Sequence, residues 1–414
     1  MPHALAQAVE IATTALAVAG MGYFLAAIVA ARVFLHERRA PRAEFAPGAP
    51  TDGSSSVGWG SGVSILKSLK GHDPGMMDAF RSHCRQSYAG EFELLFGVSS
   101  LDDPAAAAVK ALQAEFPERA IRLVECPQRL GANGKVSTLA QMVADARHDF
   151  LLINDSDITV SLHYLERVMC CFAPAARGAS KARLPVGLVT ALYRGRAHGS
   201  VLRGGLPSRL EALGIATDFQ AGVLLSKTIE GGLRYGLGST LAVRREALEK
   251  AGGLLPLVDH LADDYELGER VAKAGYRVEL SAEVVETSVP AYGWRGFFDH
   301  QLRWLRTVRD ARPGGYAGLI FTHGLCWAVA NVLASGLSPV SLWLMGLSFF
   351  LRLAQAMTVG AAVLGDREVL PNLWLLPLRD AMAMGLWVAG FAGDTVVWRG
   401  ERFALKDGKL QRAS

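Results

Sequence analysis

Two carboxylates stand two residues apart in the sequence NDSD at residues 154–157, directly after the apolar run FLLI that begins at Phe150. Carboxylate oxygens suit Mg²⁺ or Mn²⁺, and such an ion can bridge a diphosphate. A solvated turn with an Asx cap would use the same residues. The position after a strand favours the metal interpretation, because ligands bind at the carboxyl ends of strands in open α/β sheets. We predict that Asp155 and Asp157 bind the metal.

A second carboxylate pair occurs in the sequence DDYE at residues 263–266, before a segment with a helical pattern. Asp263 and Glu266 have the spacing of a capping box, which predicts that Asp263 is the N-cap. Asp264 then has no structural task. A carboxylate in that place can take the proton from an acceptor hydroxyl, so we predict that Asp264 is a general base.

Phosphate-binding groups are predicted in two further places. The sequence GANGK at residues 131–135 lies between a strand and a helix, where backbone amides and Lys135 can meet a phosphate. Arg303 precedes a long apolar region, and its planar fork suits a diphosphate. Trp304 would form part of the acceptor floor. The alternative for this segment is an amphipathic interfacial helix whose arginines reach past the membrane surface.

Asp103 stands before Pro104 at the end of another apolar run, which is the pattern of an N-cap followed by proline at the first helical position. A carboxylate there can also accept hydrogen bonds from a nucleotide base, and the two roles are compatible. Asp73 has the same pattern and is predicted to be only a cap. The glycine-containing segment 236–240 is predicted to line the pocket.

The elements that must position these residues alternate along the chain. Apolar runs begin at Val63, Phe92, Ile121 and Phe150, and helical patterns fill residues 74–88, 104–116 and 135–146 between them. This alternation predicts βαβ units and a parallel sheet. The predicted side chains of the site then follow the carboxyl ends of neighbouring strands.

Apolar segments flank this α/β region on both sides. Residues 11–33 form a run long enough to cross a membrane, and 317–337, 340–364 and 372–398 are three more, of which at least one is predicted not to cross fully. Basic residues follow the first and the last run, which predicts an integral membrane protein with a cytoplasmic catalytic domain. The adjacent Arg379 and Asp380 are predicted to be buried in protein, because bare charges in lipid are expensive.

The resulting organisation has six parts: an anchor at 11–33, a linker at 34–62, a catalytic domain at 63–298, an interfacial segment at 299–316, a membrane region at 317–398 and a basic tail at 399–414. The formal net charge of +4 is too small to indicate a nucleic-acid partner. The five cysteines have neither zinc-finger nor redox spacing, which is typical of reduced cytosolic thiols.

The order of these motifs resembles family 2-like glycosyltransferases with the GT-A fold. More narrowly, it resembles the ceramide glucosyltransferase family and its bacterial relatives that glycosylate hopanoids. The segments that carry the resemblance are 64–71, Asp103 before Pro104, Asp155, Asp264, Arg303 with Trp304, and 397–403.

The resemblance implies a Rossmann-like nucleotide-sugar-binding domain with transmembrane helices at both ends, in the inner membrane of a bacterium. Lys67, Asp103, Lys135, Asp155 and Arg303 would bind a UDP-sugar donor, with Mg²⁺ or Mn²⁺ on Asp155 and Asp157. His300 stands on the acceptor side where the ceramide enzymes usually have Gln or Arg, and this His, like the run at 191–196, is similar to the hopanoid-type relatives.

The implied reaction is an inverting transfer of N-acetylglucosamine or glucose to a hydroxyl of a membrane lipid, a hopanoid polyol first and ceramide as the alternative. A processive polysaccharide synthase, a polyprenyl-phosphate glycosyltransferase and a membrane scaffold without activity are the other interpretations. A processive synthase usually needs more spans, and transfer to a phosphate needs no strong base.

Overall fold

The computed structural model describes residues 3–39, 60–73, 75–173, 184–197, 205–291, 293–398 and 401–412. The predicted linker falls largely outside these ranges, and its first residues continue the N-terminal helix. The helices are α1 His3–Arg39, α2 Met76–Cys84, α3 Pro104–Glu115, α4 Gly134–Met142, α5 Tyr164–Met169, α6 Leu206–Gly214, α7 Gln220–Ile229, α8 Arg245–Lys250, α9 Asp263–Lys273, α10 Trp294–Ala311, α11 Pro313–Gly318, α12 Gly324–Ala334, α13 Pro339–Ala356 and α14 Leu376–Gly390.

A seven-stranded mixed sheet forms the centre of the α/β domain, in the order β3-β2-β1-β4-β6-β5-β7. All four predicted strands are present, and β1 to β4 pair in parallel. β6 runs antiparallel to both of its neighbours, and β5 and β7 are again parallel. The strands of this sheet are β1 Val63–Ser68, β2 Phe92–Val98, β3 Ala120–Glu125, β4 Phe150–Ile153, β5 Val186–Ala197, β6 Leu241–Arg244 and β7 Arg277–Val289.

The central strands are apolar throughout because both faces of the sheet are covered. All four residues of β4 are buried, as are the first five residues of β1. One face packs against the core that contains Phe80 and Tyr164, and the other packs against the core that contains Leu139 and Leu224. The predicted α/β fold class is confirmed, and the carboxyl ends of β1 and β4 meet at one edge of the sheet.

Among the described residues, two helices are long and apolar enough to cross a membrane, Ala4–Arg38 and Pro339–Val363. A third span is possible if α11 and α12, which meet at a bend of 55°, cross together with the short turn between them. The predicted membrane run 317–337 is therefore broken at His323. In the part of the chain that is described, α14 has 15 residues, or about 22 Å, and falls short of a bilayer of about 30 Å.

The N-terminal helix contacts both the C-terminal apolar helices and the α/β domain. Asn331 of α12 donates hydrogen bonds to the Thr14 hydroxyl at 2.7 Å and to the Thr13 hydroxyl at 3.2 Å. At the other end of α1, Glu37 forms an ion pair of 2.6 Å with Lys227 of α7. This ion pair places the carboxyl end of α1 against the α/β domain.

The predictions for the last part of the chain need correction. Residues 395–398 were assigned to a membrane run and 399–414 to a basic tail, but β-strands occupy both segments. They form a second sheet with the order β10-β9-β8, and Val396, Phe403, Leu405 and Leu410 bury its apolar face against Leu261. We call this the C-terminal sheet, and its strands are β8 Thr395–Trp398, β9 Glu401–Lys406 and β10 Lys409–Arg412.

Candidate active site

One cleft of about 1500 Å³ runs from the carboxyl ends of β1 and β4 to the membrane helices. A pocket for one small molecule typically measures about 300–1,000 Å³, so the cleft has room for two. The predicted residues that line it are Lys135, Asp155, Asp157, Asp264, His300, Arg303 and Trp304. Lys67, which is fully buried, and the partly exposed Asp103 do not line it.

Lys135 holds two carboxylates together at the entrance to the cleft. Its Nζ lies 2.7 Å from the Asp155 Oδ1 and 3.3 Å from the Asp263 Oδ2. Burial alone would lower the pKa of Lys135, but Asp155 and Asp263 together raise it above its usual value. The lysine is therefore a permanent cation beside Asp155, where a diphosphate would lie.

Asp264 points into the cleft from the first turn of α9. Its Oδ2 accepts a hydrogen bond of 2.7 Å from the Gly238 N–H, and its Oδ1 accepts one of 2.8 Å from the Tyr265 N–H. A Cβ on Gly238 would lie 3.2 Å from the Asp264 Oδ2 and 3.6 Å from the Asp155 Oδ2. Gly238 thus separates the two carboxylates. Residues 236–239 line the cleft as predicted, whereas Thr240 is fully buried and does not.

Burial is the main cause of an unusual ionisation of Asp264. Burial and the neighbouring Asp263 raise the pKa of the Asp264 carboxyl to about 6, against the lowering effect of Lys135. A carboxylate with a pKa near neutrality is a stronger base than an ordinary aspartate and is still largely ionised at pH 7. This combination suits proton abstraction from a hydroxyl.

Close packing of two glycines allows Asp264 to reach Gly238. A Cβ on Gly268 of α9 would lie 2.3 Å from the Gly236 nitrogen, so only glycine allows the helix this near to the loop. The Gly236 N–H also donates to the Asp264 carbonyl oxygen at 3.2 Å. The predicted capping box is wrong, since α9 begins at Asp263 with Ala262 as its N-cap and no side-chain cap. Asp263 instead pairs with Lys135.

Asp157 is tied to the last residues of β7. Its Oδ2 accepts a hydrogen bond of 2.6 Å from the Thr287 hydroxyl and one of 3.0 Å from the Ser288 N–H. No group of three or more His, Cys, Asp or Glu side chains with metal-site geometry occurs among the described residues. Asp155 and Asp157 both line the cleft, and Mg²⁺ is usually bound by one or two carboxylates with phosphates and water, so their binding of Mg²⁺ or Mn²⁺ stays a prediction.

Lys67 supports Asp155 from inside the sheet. It is fully buried, and its Nζ donates to the Asp155 backbone oxygen at 2.9 Å. Burial lowers the pKa of Lys67 to about 7, against the raising effects of Asp157 and Asp155. The lysine thus fixes the main chain that carries the two predicted metal ligands.

The acceptor-side residues lie on the amphipathic helix α10. The His300 Nδ1 lies 3.0 Å from the buried carboxylate of Glu211. The same carboxylate accepts a hydrogen bond of 3.2 Å from the Gln301 amide. The His300 and Trp304 rings lie 4.7 Å apart, centroid to centroid. Trp304 packs against Ile215 and Val289 and lines the cleft, and its place in an acceptor floor stays a prediction.

Comparison with known proteins agrees with this geometry. The model of glycosyl transferase family 21 matches residues 14–411. The chain belongs to glycosyl transferase family 21. It is therefore an enzyme that transfers sugars.

Two curated relatives of this family 21 enzyme are Ceramide glucosyltransferase 3 and Ceramide glucosyltransferase 1 of Caenorhabditis elegans. The first is 23% identical over 366 residues, which are 83% of this chain and 72% of the relative. The second is 22% identical over 364 residues, which are 85% and 73%. A solved structure of the mannosyltransferase PcManGT from Pyrobaculum calidifontis, in complex with GDP-Man and Mn²⁺, is 19% identical, with a TM-score of 0.49 over 92% of this chain and 99% of that one.

Two other aspartates of the family 21 enzyme have mainly structural contacts. Asp103 caps α3 as predicted, because its Oδ1 accepts a hydrogen bond of 2.9 Å from the Ala105 N–H. The same oxygen also accepts a hydrogen bond of 2.9 Å from the Gly71 N–H. Its contact with a donor stays a prediction. The prediction that Asp73 is a cap is wrong, since Gly75 caps α2 and the Asp73 carboxylate accepts from the Ser156 hydroxyl at 2.5 Å.

Three groups that line the family 21 cleft had no predicted role. Tyr193 of β5 lines the cleft, and burial together with the charges of Asp264 and Asp155 raises the pKa of its phenol. Glu211 of α6 holds His300. Trp398 and Phe403 of the C-terminal sheet close one side of the cleft. These residues reach the cleft because segments distant in the sequence pair with one another. In the sequence, only the aromatic residues of 397–403 indicated such a role.

Proposed function

We propose that the protein is an inverting glycosyltransferase that moves a sugar from a UDP-sugar to a hydroxyl of a membrane lipid. The single observation that carries this proposal is the extent of the cleft. Asp155 and Asp264 lie at one end, and side chains of the helices α1, α13 and α14 line the other. A water-soluble donor and a bilayer-bound acceptor can therefore meet in one cavity.

In the proposed reaction the lipid oxygen attacks the anomeric carbon from the face opposite the diphosphate. A carbon–oxygen bond to the lipid forms, the bond to the diphosphate breaks with its electron pair on UDP, and the hydroxyl proton passes to Asp264. The Gly238 N–H holds the Asp264 carboxylate in place. Lys135 and Arg303 line the cleft and would supply positive charge to the departing diphosphate.

Asp155 and Asp157 would hold the divalent metal, Mg²⁺ or Mn²⁺. When bound, the ion would stabilise the negative charge on the leaving group. Lys67 would contribute indirectly, because it fixes the Asp155 main chain at 2.9 Å.

The proposed acceptor is a hopanoid polyol, with N-acetylglucosamine or glucose as the sugar. His300 supports this choice through its resemblance to the hopanoid-type relatives, and it faces the cleft beside Trp304. Glucosylation of ceramide is the second candidate, favoured by the names of the curated relatives. The basic residues at the end of α1 support a catalytic domain on the cytoplasmic side of a bacterial inner membrane.

A transfer assay tests the proposal. The detergent-purified protein, with Mg²⁺ or Mn²⁺, is expected to glycosylate a hopanoid polyol or ceramide from a panel of UDP-sugars, as read by lipid mass spectrometry. Addition of a chelator is expected to stop transfer, and excess Mg²⁺ or Mn²⁺ is expected to restore it. A protein with intact fold that glycosylates neither lipid from any UDP-sugar would contradict the proposal.

The rate of transfer is expected to fall in acid because Asp264 must be ionised to accept a proton. Its pKa of about 6 predicts that kcat/KM is constant above about pH 7 and drops tenfold per unit below about pH 6. The measurement is a profile of kcat/KM for the lipid between pH 5 and 9 at saturating metal. A profile without an acid limb would contradict the assignment of Asp264 as the base.

A further inference from the structure

Three buried charged side chains and the partly buried Asp218 lie together where α13 and α14 meet the π-helical segment Ile215–Phe219 between α6 and α7. The Arg352 Nη2 lies 2.6 Å from the Asp218 Oδ1 and 2.7 Å from the Asp380 Oδ1. The Arg379 Nε lies 3.1 Å from the Asp218 Oδ2. Arg352, Arg379 and Asp380 are at most 8% exposed, so the predicted burial of the adjacent Arg379 and Asp380 is confirmed. Two positive and two negative charges balance each other.

The cluster belongs to the wall of the same cleft as the reacting groups. Arg352 lies in a helix apolar enough to cross a membrane, where charged side chains are expensive and usually functional. Tyr193 lies between the charged cluster and the reacting groups of the cleft. Its phenol is close enough to Asp264 to be influenced by that charge, and its ring lies 5.6 Å from Phe219, the neighbour of Asp218 in sequence.

Among the described residues, three nitrogens of this region are buried without a hydrogen-bond partner: the His323 Nε2, the Arg379 Nη1 and the Arg379 Nε, of which the Nε still has its ion-pair contact of 3.1 Å with Asp218. A buried donor left unsatisfied costs about 1–3 kcal/mol, so a ligand that pairs with it gains affinity. Both side chains line the cleft. Arg379 also lies directly on the main chain of Gly214, where a Cβ would be 2.3 Å from the Arg379 Nε. The arginine is therefore held in place, with one edge of its fork left free.

We propose that Arg379 and His323 bind a second polar group of the acceptor lipid, and so determine which lipids are glycosylated. This inference rests on the proposed function. The ligand must offer an oxygen to the Arg379 N–H, as a hydroxyl or an amide carbonyl does. It is a neutral group, because both arginines are already paired and the carboxylates of Asp218 and Asp380 repel a phosphate.

The test compares acceptors that differ only in that second group. The wild-type full-length protein is assayed with a long-chain primary alcohol and with a lipid of the same chain length that carries an additional hydroxyl or amide. The wild type is expected to prefer the second lipid. Arg379→Met is expected to lower kcat/KM for that lipid tenfold to a hundredfold, to leave the simple alcohol within about twofold, and to leave the KM of the UDP-sugar unchanged.

Arg379→Lys serves if Arg379→Met fails to fold, because it keeps a cation beside Asp218 and removes the second donor. Arg309→Gln is the matched control, since it removes an arginine contact of 2.6 Å to Gly390 of α14 outside the cleft. Its acceptor preference is expected to equal that of the wild type. Equal losses on both acceptors in the Arg379 variants would overturn the inference while leaving the proposed function intact. A wild type that glycosylates neither lipid would overturn both.

Discussion

Replacing Asp264 by asparagine is expected to lower kcat by about 10²–10⁴-fold and to change the KM for the UDP-sugar far less, because a positioned base contributes to the chemical step. The substitution is nearly isosteric. Its amide oxygen can still accept a hydrogen bond from the Gly238 N–H, which the carboxylate accepts at 2.7 Å. Steady-state kinetics with varied donor and varied lipid measure both parameters.

Glu269→Gln is the matched control for Asp264→Asn. Glu269 lies on the same helix, α9, and pairs with Lys273 at 3.0 Å away from the cleft. Surface ion pairs of this kind contribute little, so its kcat is expected to stay within about twofold of the wild type. Near-normal turnover by Asp264→Asn would show that another group takes the proton. A loss of donor binding equal to the loss of kcat would instead point to a role in holding the donor.

The sequence alone predicted the part of the fold that depends on local pattern. The apolar runs of β1 and β4 and the helices between them have short-range periodicity, and each ends at the residues where polar side chains begin. For that reason Asp155, Asp157 and Lys135 were predicted at one sheet edge, and the structure places all three in one cleft. Their ligands stay a prediction.

Predictions that depended on long-range contacts were less successful. The spacing of Asp263 and Glu266 fits a capping box, but Lys135, more than a hundred residues earlier in the chain, draws Asp263 into an ion pair of 3.3 Å. Likewise, the basic residues after Trp398 look like a solvated tail in sequence. Their strands bury Phe403 and Leu410 only because Leu261 offers an apolar surface.

Truncation after Gly393 is expected to lower kcat by at least about 10²-fold, because it removes the C-terminal sheet that holds the loop before Asp264. The Leu410 N–H donates a hydrogen bond of 2.7 Å to the Asp259 carbonyl, and the Leu261 N–H donates one of 3.1 Å to the Gly408 carbonyl. A displacement of about 1 Å in a catalytic group can cost 10²-fold in rate. Transfer kinetics of the truncated protein measure the loss.

The same loop also positions the phosphate-binding end of the cleft. The Asp259 Oδ1 accepts a hydrogen bond of 2.8 Å from the Ala132 N–H, and the Asn133 side chain donates one of 2.7 Å to the His260 carbonyl. The C-terminal sheet thus supports Lys135 and Asp264 through one intermediary. For this reason we expect the truncation to weaken donor binding as well as turnover, unlike Asp264→Asn, which affects turnover alone.

A point substitution separates this effect from general instability. Leu405→Ala empties part of the apolar core of the C-terminal sheet, where Leu405 is 4% exposed, and such changes cost about 2–5 kcal/mol. It is expected to reproduce the losses of kcat and donor affinity, while exposed Lys406→Gln on the same strand leaves both unchanged. Wild-type kinetics in Leu405→Ala, with the sheet shown by protease sensitivity to be detached, would mean that the loop at 259–262 holds Asp264 without it.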